Sequence, residues 1–285
     1  MQFQPIISSA ELYENLNNPD WAILDCRFDF DDPKLGYREY LEGHIPGSLY
    51  VDLERDLSSA IIPGKTGRHP LPDKMVLAER FSSWGIDSTT RVVIYDNKNG
   101  ALAARLWWLL RWLGHENAAI LDGGWPAWDV KVYPVETVEA SRAPREFLLS
   151  ERPQIVVDVD YVEKIRLDPD YLLVDSRAAE RYWGINETID PVAGHIPGAV
   201  TAPYSSNLDE NGRFLSPDLL KERFENLLGG LPAENVVFYC GSGVTACHNI
   251  AAMIVTGFDM PKLYAGSWSE WITDPARPVG PKSPE

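Results

Sequence analysis

The chain has 285 residues, a net charge of −16 and 45% hydrophobic residues, enough for one large domain or two ordinary ones with packed cores. The acidic balance excludes nucleic acid and anionic membrane surfaces as partners, because both need basic patches. An anionic substrate would therefore have to be drawn by local cationic groups. No apolar run reaches membrane-spanning length, the best of them, residues 101–110, being broken by Arg105. The N-terminal MQFQPIISSA lacks the basic and apolar regions of a signal peptide. Cys26, Cys240 and Cys247 have no metal-like spacing and fit a reducing cytoplasm, with no metal or cofactor implied.

In chain order, Ser8-Ser-Ala-Glu11 reads as a capping box before a short helix. Residues 21–24 form a strand, 72–84 a helix and 91–95 a strand. A helix over 101–113, closed by Gly114, and a strand over 118–121 follow. Residues 134–154 are mixed, charged and without period, the pattern of a linker. Ser216 and Pro217 supply the N-cap and first position of a helix through Leu228. Alternating apolar strands and helical segments indicate an α/β fold around a parallel sheet.

The same unit is written twice. Residues 18–27 (NPDWAILDCR) align with 168–177 (DPDYLLVDSR), and Gly43-His-Ile-Pro-Gly47 recurs as Gly194-His-Ile-Pro-Gly198. Val92-Val-Ile-Tyr-Asp96 recurs as Val236-Val-Phe-Tyr-Cys240, and Gly123-Gly-Trp as Gly266-Ser-Trp. Matches in one order at a nearly constant offset mean a tandem duplication. The division expected is 1–137 for the first domain, 138–153 for a linker and 154–285 for the second domain.

The duplication also sorts candidates. Features in both copies belong to the fold, which gives His44 and His195 a structural reading at tight turns. It likewise makes Asp25, Arg27, Asp175 and Arg177 pairs within each domain. Features in one copy are candidates for chemistry. The second copy alone has VVFYCGSGVTACHN at 236–249: a buried strand, Cys240, a glycine loop, and a helix that runs to Gly257. Gly241 and Gly243 allow successive N–H groups to turn inward as an anion nest, and the helix start adds its positive end. Such surroundings favour the thiolate. The first copy has Asp96 at this place and Asn97-Lys-Asn-Gly100 in place of the glycine cradle, so it is expected to carry neither nucleophile nor cradle.

The run CGSGVTAC resembles the active-site loop of the rhodanese superfamily, and within it the 3-mercaptopyruvate sulfurtransferases. The resemblance implies two rhodanese-like domains, the first inactive, with the site in the second facing a cleft. It implies a persulfide on Cys240 held by Gly241, Ser242, Gly243, Val244 and Thr245, with Ser242 hydrogen-bonding the thiolate or relaying a proton. An arginine just after the second DSR grips the donor carboxylate in this family, which gives that role to Arg181, four residues after Arg177, where the first copy has Asp31 four residues after Arg27. His69, before Leu71-Pro72, corresponds to a family histidine reaching the cleft from the first domain, and Arg105 to an arginine near it. Glu54 stands where the family has an aspartate. A second carboxylate-binding arginine, expected in a Glu-Pro-Arg segment, is missing from residues 186–192.

The expected function is sulfur transfer from a small anionic donor, 3-mercaptopyruvate, to cyanide, a small thiol or a protein thiol. Thiosulfate is the alternative donor, and a non-catalytic binding or sulfide-sensing module is the alternative class. A cysteine phosphatase needs an arginine six residues after its cysteine, where this chain has Ala246. A nucleotide loop at Gly64-Lys-Thr66 is excluded by Ser59 at the first-glycine position.

Overall fold

The computed structural model describes residues 4–128 and 132–280; the outermost ends of the expected domain division lie outside them. It resolves into two compact units. One comprises Met1–Ser59, Pro72–Arg152 and Asn211–Arg213; the other comprises Ala60–Leu71, Pro153–Glu210 and Phe214–Glu285.

Among the described residues each unit is built on a five-stranded parallel sheet. The first holds β1 (Ile6–Ile7), β2 (Trp21–Asp25), β3 (Ser48–Tyr50), β4 (Arg91–Tyr95) and β5 (Ala118–Leu121), in the order β1-β5-β4-β2-β3. The second holds β6 (Val156–Val157), β7 (Leu172–Asp175), β8 (Val200–Thr201), β9 (Val236–Tyr239) and β10 (Lys262–Tyr264), in the order β6-β10-β9-β7-β8. Strand for strand the two orders are the same, so the repeated motifs reflect one repeated topology. The strand leading to Cys240 is central and fully buried, as an apolar run in a parallel sheet requires.

In the first unit the helices are α1 (Ser9–Glu14), α2 (Leu35–Glu42), α3 (Lys74–Ser83), α4 (Ala103–Trp112) and α5 (Gly124–Ala127). The second has α6 (Val159–Ile165), α7 (Ala179–Tyr182), α8 (Pro217–Leu228), α9 (Ala246–Val255) and α10 (Ser267–Trp271). Ser8 caps α1 by accepting the Glu11 N–H, and Ser216 caps α8 with Pro217 in its first turn. The helix expected from residue 72 starts at Lys74 because Asp73 takes the N–H groups of Met75 and Val76. The α4 helix is buried all round, Arg105 and Arg111 included.

The paired motifs do the same work in both units. Arg27 clasps Asp25 and donates to the Gly43 carbonyl at 2.8 Å; Arg177 clasps Asp175 and donates to the Gly194 carbonyl at 2.7 Å. His44 stacks on Tyr40 and bonds its carbonyl at 2.6 Å, while His195 stacks on Tyr182 and bonds its carbonyl at 2.9 Å. These contacts tie the turn after each Gly-His to the helix before it.

Residues 138–152 cover the first unit without regular structure. Phe147 packs edge-on against Phe81, and Arg145 pairs with Asp20 and Asp87. Residues 60–71, which a division by sequence assigns to the first copy, pack with the second unit. The Arg68 N–H bonds Ser269 and its guanidinium pairs with Asp190.

Candidate active site

Cys240 leaves β9 at the mouth of the sheet, where α/β folds place ligands, and its side chain is 2% exposed. Burial pushes the thiol up, but the Thr245 hydroxyl and the N–H groups of Ser242, Ala246 and Val244 outweigh it. The thiol is held below its ordinary value of 9.0. These donors converge on sulfur because the chain reverses at Gly243, whose φ is +73° and whose added Cβ would lie 2.4 Å from the Ala265 carbonyl. Gly241 is a glycine for another reason. It is not left-handed; a Cβ there would lie 2.8 Å from the Arg68 guanidinium. So the expectation of two conformationally special glycines is corrected to one.

A second layer fixes the loop. The Cys240 N–H donates to Ser267 Oγ at 3.1 Å, and the Trp268 and Ser269 N–H groups donate to the carbonyls of Cys240 and Gly241. Ser267 does this from a left-handed φ of 56°, a conformation costing about 1–3 kcal/mol for a non-glycine residue.

His69 and Ser242 meet inside the second unit, with Nδ1 and Oγ 2.7 Å apart and both side chains buried. The pair is 173 residues apart in sequence, and the Ser242 N–H faces Cys240 sulfur. Imidazole and hydroxyl are thus at hydrogen-bond distance, an arrangement through which a proton can pass.

Two guanidinium groups lie over Gly241. An added Cβ on that residue would be 2.8 Å from Arg68 Nη2 and 3.5 Å from both terminal nitrogens of Arg181. Arg181 gives its Nε to Glu187 at 3.0 Å and its Nη2 to Asp190 at 2.8 Å; Arg68 Nη1 takes the other oxygen of Asp190. Burial raises the Glu187 carboxyl, but Arg181 and the N–H groups of Asp190 and Ile189 prevail and lower it. For Asp190, burial prevails over Arg68 and Arg181 and pushes the carboxyl up.

Arg68 is a residue that sequence reasoning missed. It sits in a coil with no counterpart in the other copy, and nothing in its spacing marks it. It supplies a second guanidinium to a site where residues 186–192 lack one. Arg105 and Glu54 belong to the first unit. Arg105 is buried on α4 and donates to the Leu57 carbonyl at 3.4 Å; Glu54 is exposed in a turn held by Asp52.

Residues 8–131 and 158–274 each match the rhodanese-like domain family. The chain belongs to the rhodanese family. A Pseudomonas aeruginosa protein named "probable 3-mercaptopyruvate sulfurtransferase" is 48% identical over 98% of this chain and 99% of its own. An Arabidopsis thaliana protein, thiosulfate/3-mercaptopyruvate sulfurtransferase 1, mitochondrial, is 33% identical over 97% of this chain and 78% of its own. Among solved structures, the 3-mercaptopyruvate sulfurtransferase from Leishmania major superposes with a TM-score of 0.82 at 30% identity. That match covers 94% of this chain and 74% of the other.

Within this pair of rhodanese domains the first keeps the loop and loses the thiol. Asp96 accepts N–H bonds from Lys98, Gly100, Leu102 and Ala103 at 2.7–2.9 Å, and Asn99 takes the left-handed turn at φ 57°. The cradle that sequence reading denied to this copy is present, filled by a carboxylate. The arginine also has a different counterpart from the expected Asp31. The stacked Tyr–His pairs align Arg181 with Glu39, which bonds Asn97 as Arg181 covers Gly241.

Proposed function

We propose that the protein is a sulfurtransferase that moves sulfur from 3-mercaptopyruvate through a persulfide on Cys240. The observation that carries this is the depressed thiol in a nest of N–H donors, with two guanidinium groups directly over the next residue. Arg181 and Arg68 hold the donor carboxylate, with their unshared N–H edges toward Gly241. The Cys240 thiolate attacks the donor sulfur and an S–S bond forms as the C–S bond breaks. The bonding pair goes to carbon, which gains the former thiol proton to give pyruvate. Ser242 and His69 carry that proton. The terminal sulfur keeps one negative charge, held by the N–H groups of Ser242, Val244 and Ala246.

In the second half-reaction cyanide, a small thiol or a protein thiol attacks the outer sulfur. With cyanide, thiocyanate leaves and Cys240 returns to thiolate. Alternating donor and acceptor steps imply ping-pong kinetics. Catalysis belongs to the C-terminal unit, and the three buried free cysteines suit a cytoplasmic setting. Thiosulfate, with sulfite as leaving group, is the second reading, favoured by the relative whose name carries both donors.

Incubation with mercaptopyruvate and removal of excess should leave Cys240 one sulfur atom heavier by mass spectrometry. A Cys240→Ala variant that folds yet turns over normally would end the mechanism. Absence of turnover by wild type with either donor would favour a binding or sensing module.

A further inference from the structure

The segment 184–192 has no counterpart before the first Gly-His. Four residues separate the stacked Tyr40 from His44, whereas thirteen separate Tyr182 from His195. The extra length carries Glu187 and Asp190, with side chains 2% and 1% exposed. Carboxylates are rarely buried so deeply without partners, and here the partners are the arginines of the site. Asp190 uses one oxygen for Arg68 and the other for Arg181. Glu187 takes Arg181 and the fold arginine Arg177, which is itself clasped by Asp175.

The charges of this cluster cancel. Arg68, Arg177 and Arg181 face Asp175, Glu187 and Asp190. Arg68 Nη2 and Arg181 Nη1 take no part in those ion pairs; Arg68 Nη2 lies nearest Gly241, and Arg181 Nη1 is as close to it as the paired Nη2. An arriving donor therefore meets directional N–H groups without excess positive charge, and beside them a thiolate. A singly charged, planar carboxylate satisfies two N–H edges and meets repulsion from one sulfur charge. A dianion meets twice that repulsion with no surplus cation to offset it.

We propose that Asp190 sets the donor's charge: it holds Arg68 and Arg181 as one clamp, cancels their excess charge, and so admits a carboxylate monoanion over thiosulfate. The inference rests on the sulfurtransferase reading and deepens it. Glu187 contributes to the same balance from the other side of Arg181. In this role Asp190 acts through the two arginines as a positioning and specificity-determining residue.

The test compares kcat/KM for mercaptopyruvate and thiosulfate in wild type, Asp190→Asn, Asp190→Glu and Glu187→Gln. Removing one negative charge should raise the thiosulfate-to-mercaptopyruvate ratio roughly tenfold in Asp190→Asn, chiefly through KM for thiosulfate. Glu187→Gln should move the ratio in the same direction, while Asp190→Glu, which keeps the charge, should leave it near wild type. An unchanged ratio in both neutral variants, or an equal shift in Asp190→Glu, overturns the proposal. A measurement on wild type guards against misfolded variants: pyruvate should protect Cys240 from iodoacetamide at lower concentration than sulfate. Equal protection by sulfate also overturns it. If wild type releases no sulfur from mercaptopyruvate, the underlying reading fails instead.

Discussion

Asp96 and Cys240 occupy one position in two copies of the same loop. Each draws N–H groups from the residues two, four and six places further on. The copies differ in what they offer those donors: a carboxylate closed off inside the first unit, a sulfur in the second. The resident carboxyl shows that this loop gathers four N–H groups on one side chain, although burial still pushes that carboxyl up.

Asp96→Ala should therefore cost stability although no catalytic group is touched. It strands four N–H donors, three of them buried, and each buried unsatisfied donor costs about 1–3 kcal/mol before water enters. Thermal unfolding should show a clear loss, and sulfate should restore part of it by filling the vacated nest. A melting temperature unchanged from wild type would mean the bonds to Asp96 carry no net weight. Asp96→Cys, in turn, should give a thiol without turnover. Its cradle is intact, but Glu39 stands where Arg181 does and Lys98 where Ser242 does.

The lowered thiol of Cys240 fixes the sign of the pH dependence. In the proposed mechanism the nucleophile is the thiolate, so the first half-reaction should rise with pH along a limb lying below the ordinary thiol value. Thr245 supplies the largest of the effects that lower it. Thr245→Val should move the limb to higher pH and slow alkylation of Cys240 by iodoacetamide roughly tenfold at pH 7, the loss of one hydrogen bond to a charged group. An alkylation profile that does not move would assign the depression to the backbone alone.

What was legible in the sequence was whatever is local or repeated. The strand–cysteine–loop–helix order and the duplicated pairs could be read because neighbours in sequence carry them. Arg68 could not, because its place depends on a coil held to the second unit by Asp190, 122 residues away. The alignment of Arg181 failed for a related reason. The helix bearing the stacked tyrosine lies thirteen residues after Arg27 but five after Arg177, and compensating lengths before the Gly-His conceal the shift. The retained cradle around Asp96 was missed because Asn99 takes a left-handed turn that glycine was expected to mark.

The histidines divide by the same logic. His44→Ala and His195→Ala each remove a ring stacked on tyrosine and a bond to its carbonyl, so each should lower stability by about 2–3 kcal/mol. Sulfur release per folded molecule should survive both. His69→Ala should do the reverse, lowering kcat about a hundredfold or more with little change in melting temperature. If His69 and Ser242 act as one relay, the double variant with Ser242→Ala should be no slower than the worse single. Multiplying losses would show two independent functions.

Arg68 and Arg181 should fail together when their geometry is lost and their charge kept. Lysine preserves the positive charge but cannot hold a buried carboxylate with one nitrogen and present another to the donor. In Arg181→Lys the bonds to Glu187 and Asp190 must be made by one ammonium, and in Arg68→Lys the link to Asp190 leaves no second edge over Gly241. Each variant should lose roughly 5- to 150-fold in kcat/KM for mercaptopyruvate, the equivalent of about 1–3 kcal/mol, mainly by raising KM. Because both arginines share Asp190, their effects are coupled, and the double variant should lose less than the product of the single losses. Steady-state kinetics on the four enzymes checks this. Arg68→Lys with a wild-type KM would show that Arg68 straps residues 60–71 to the second unit and takes no part in holding the donor.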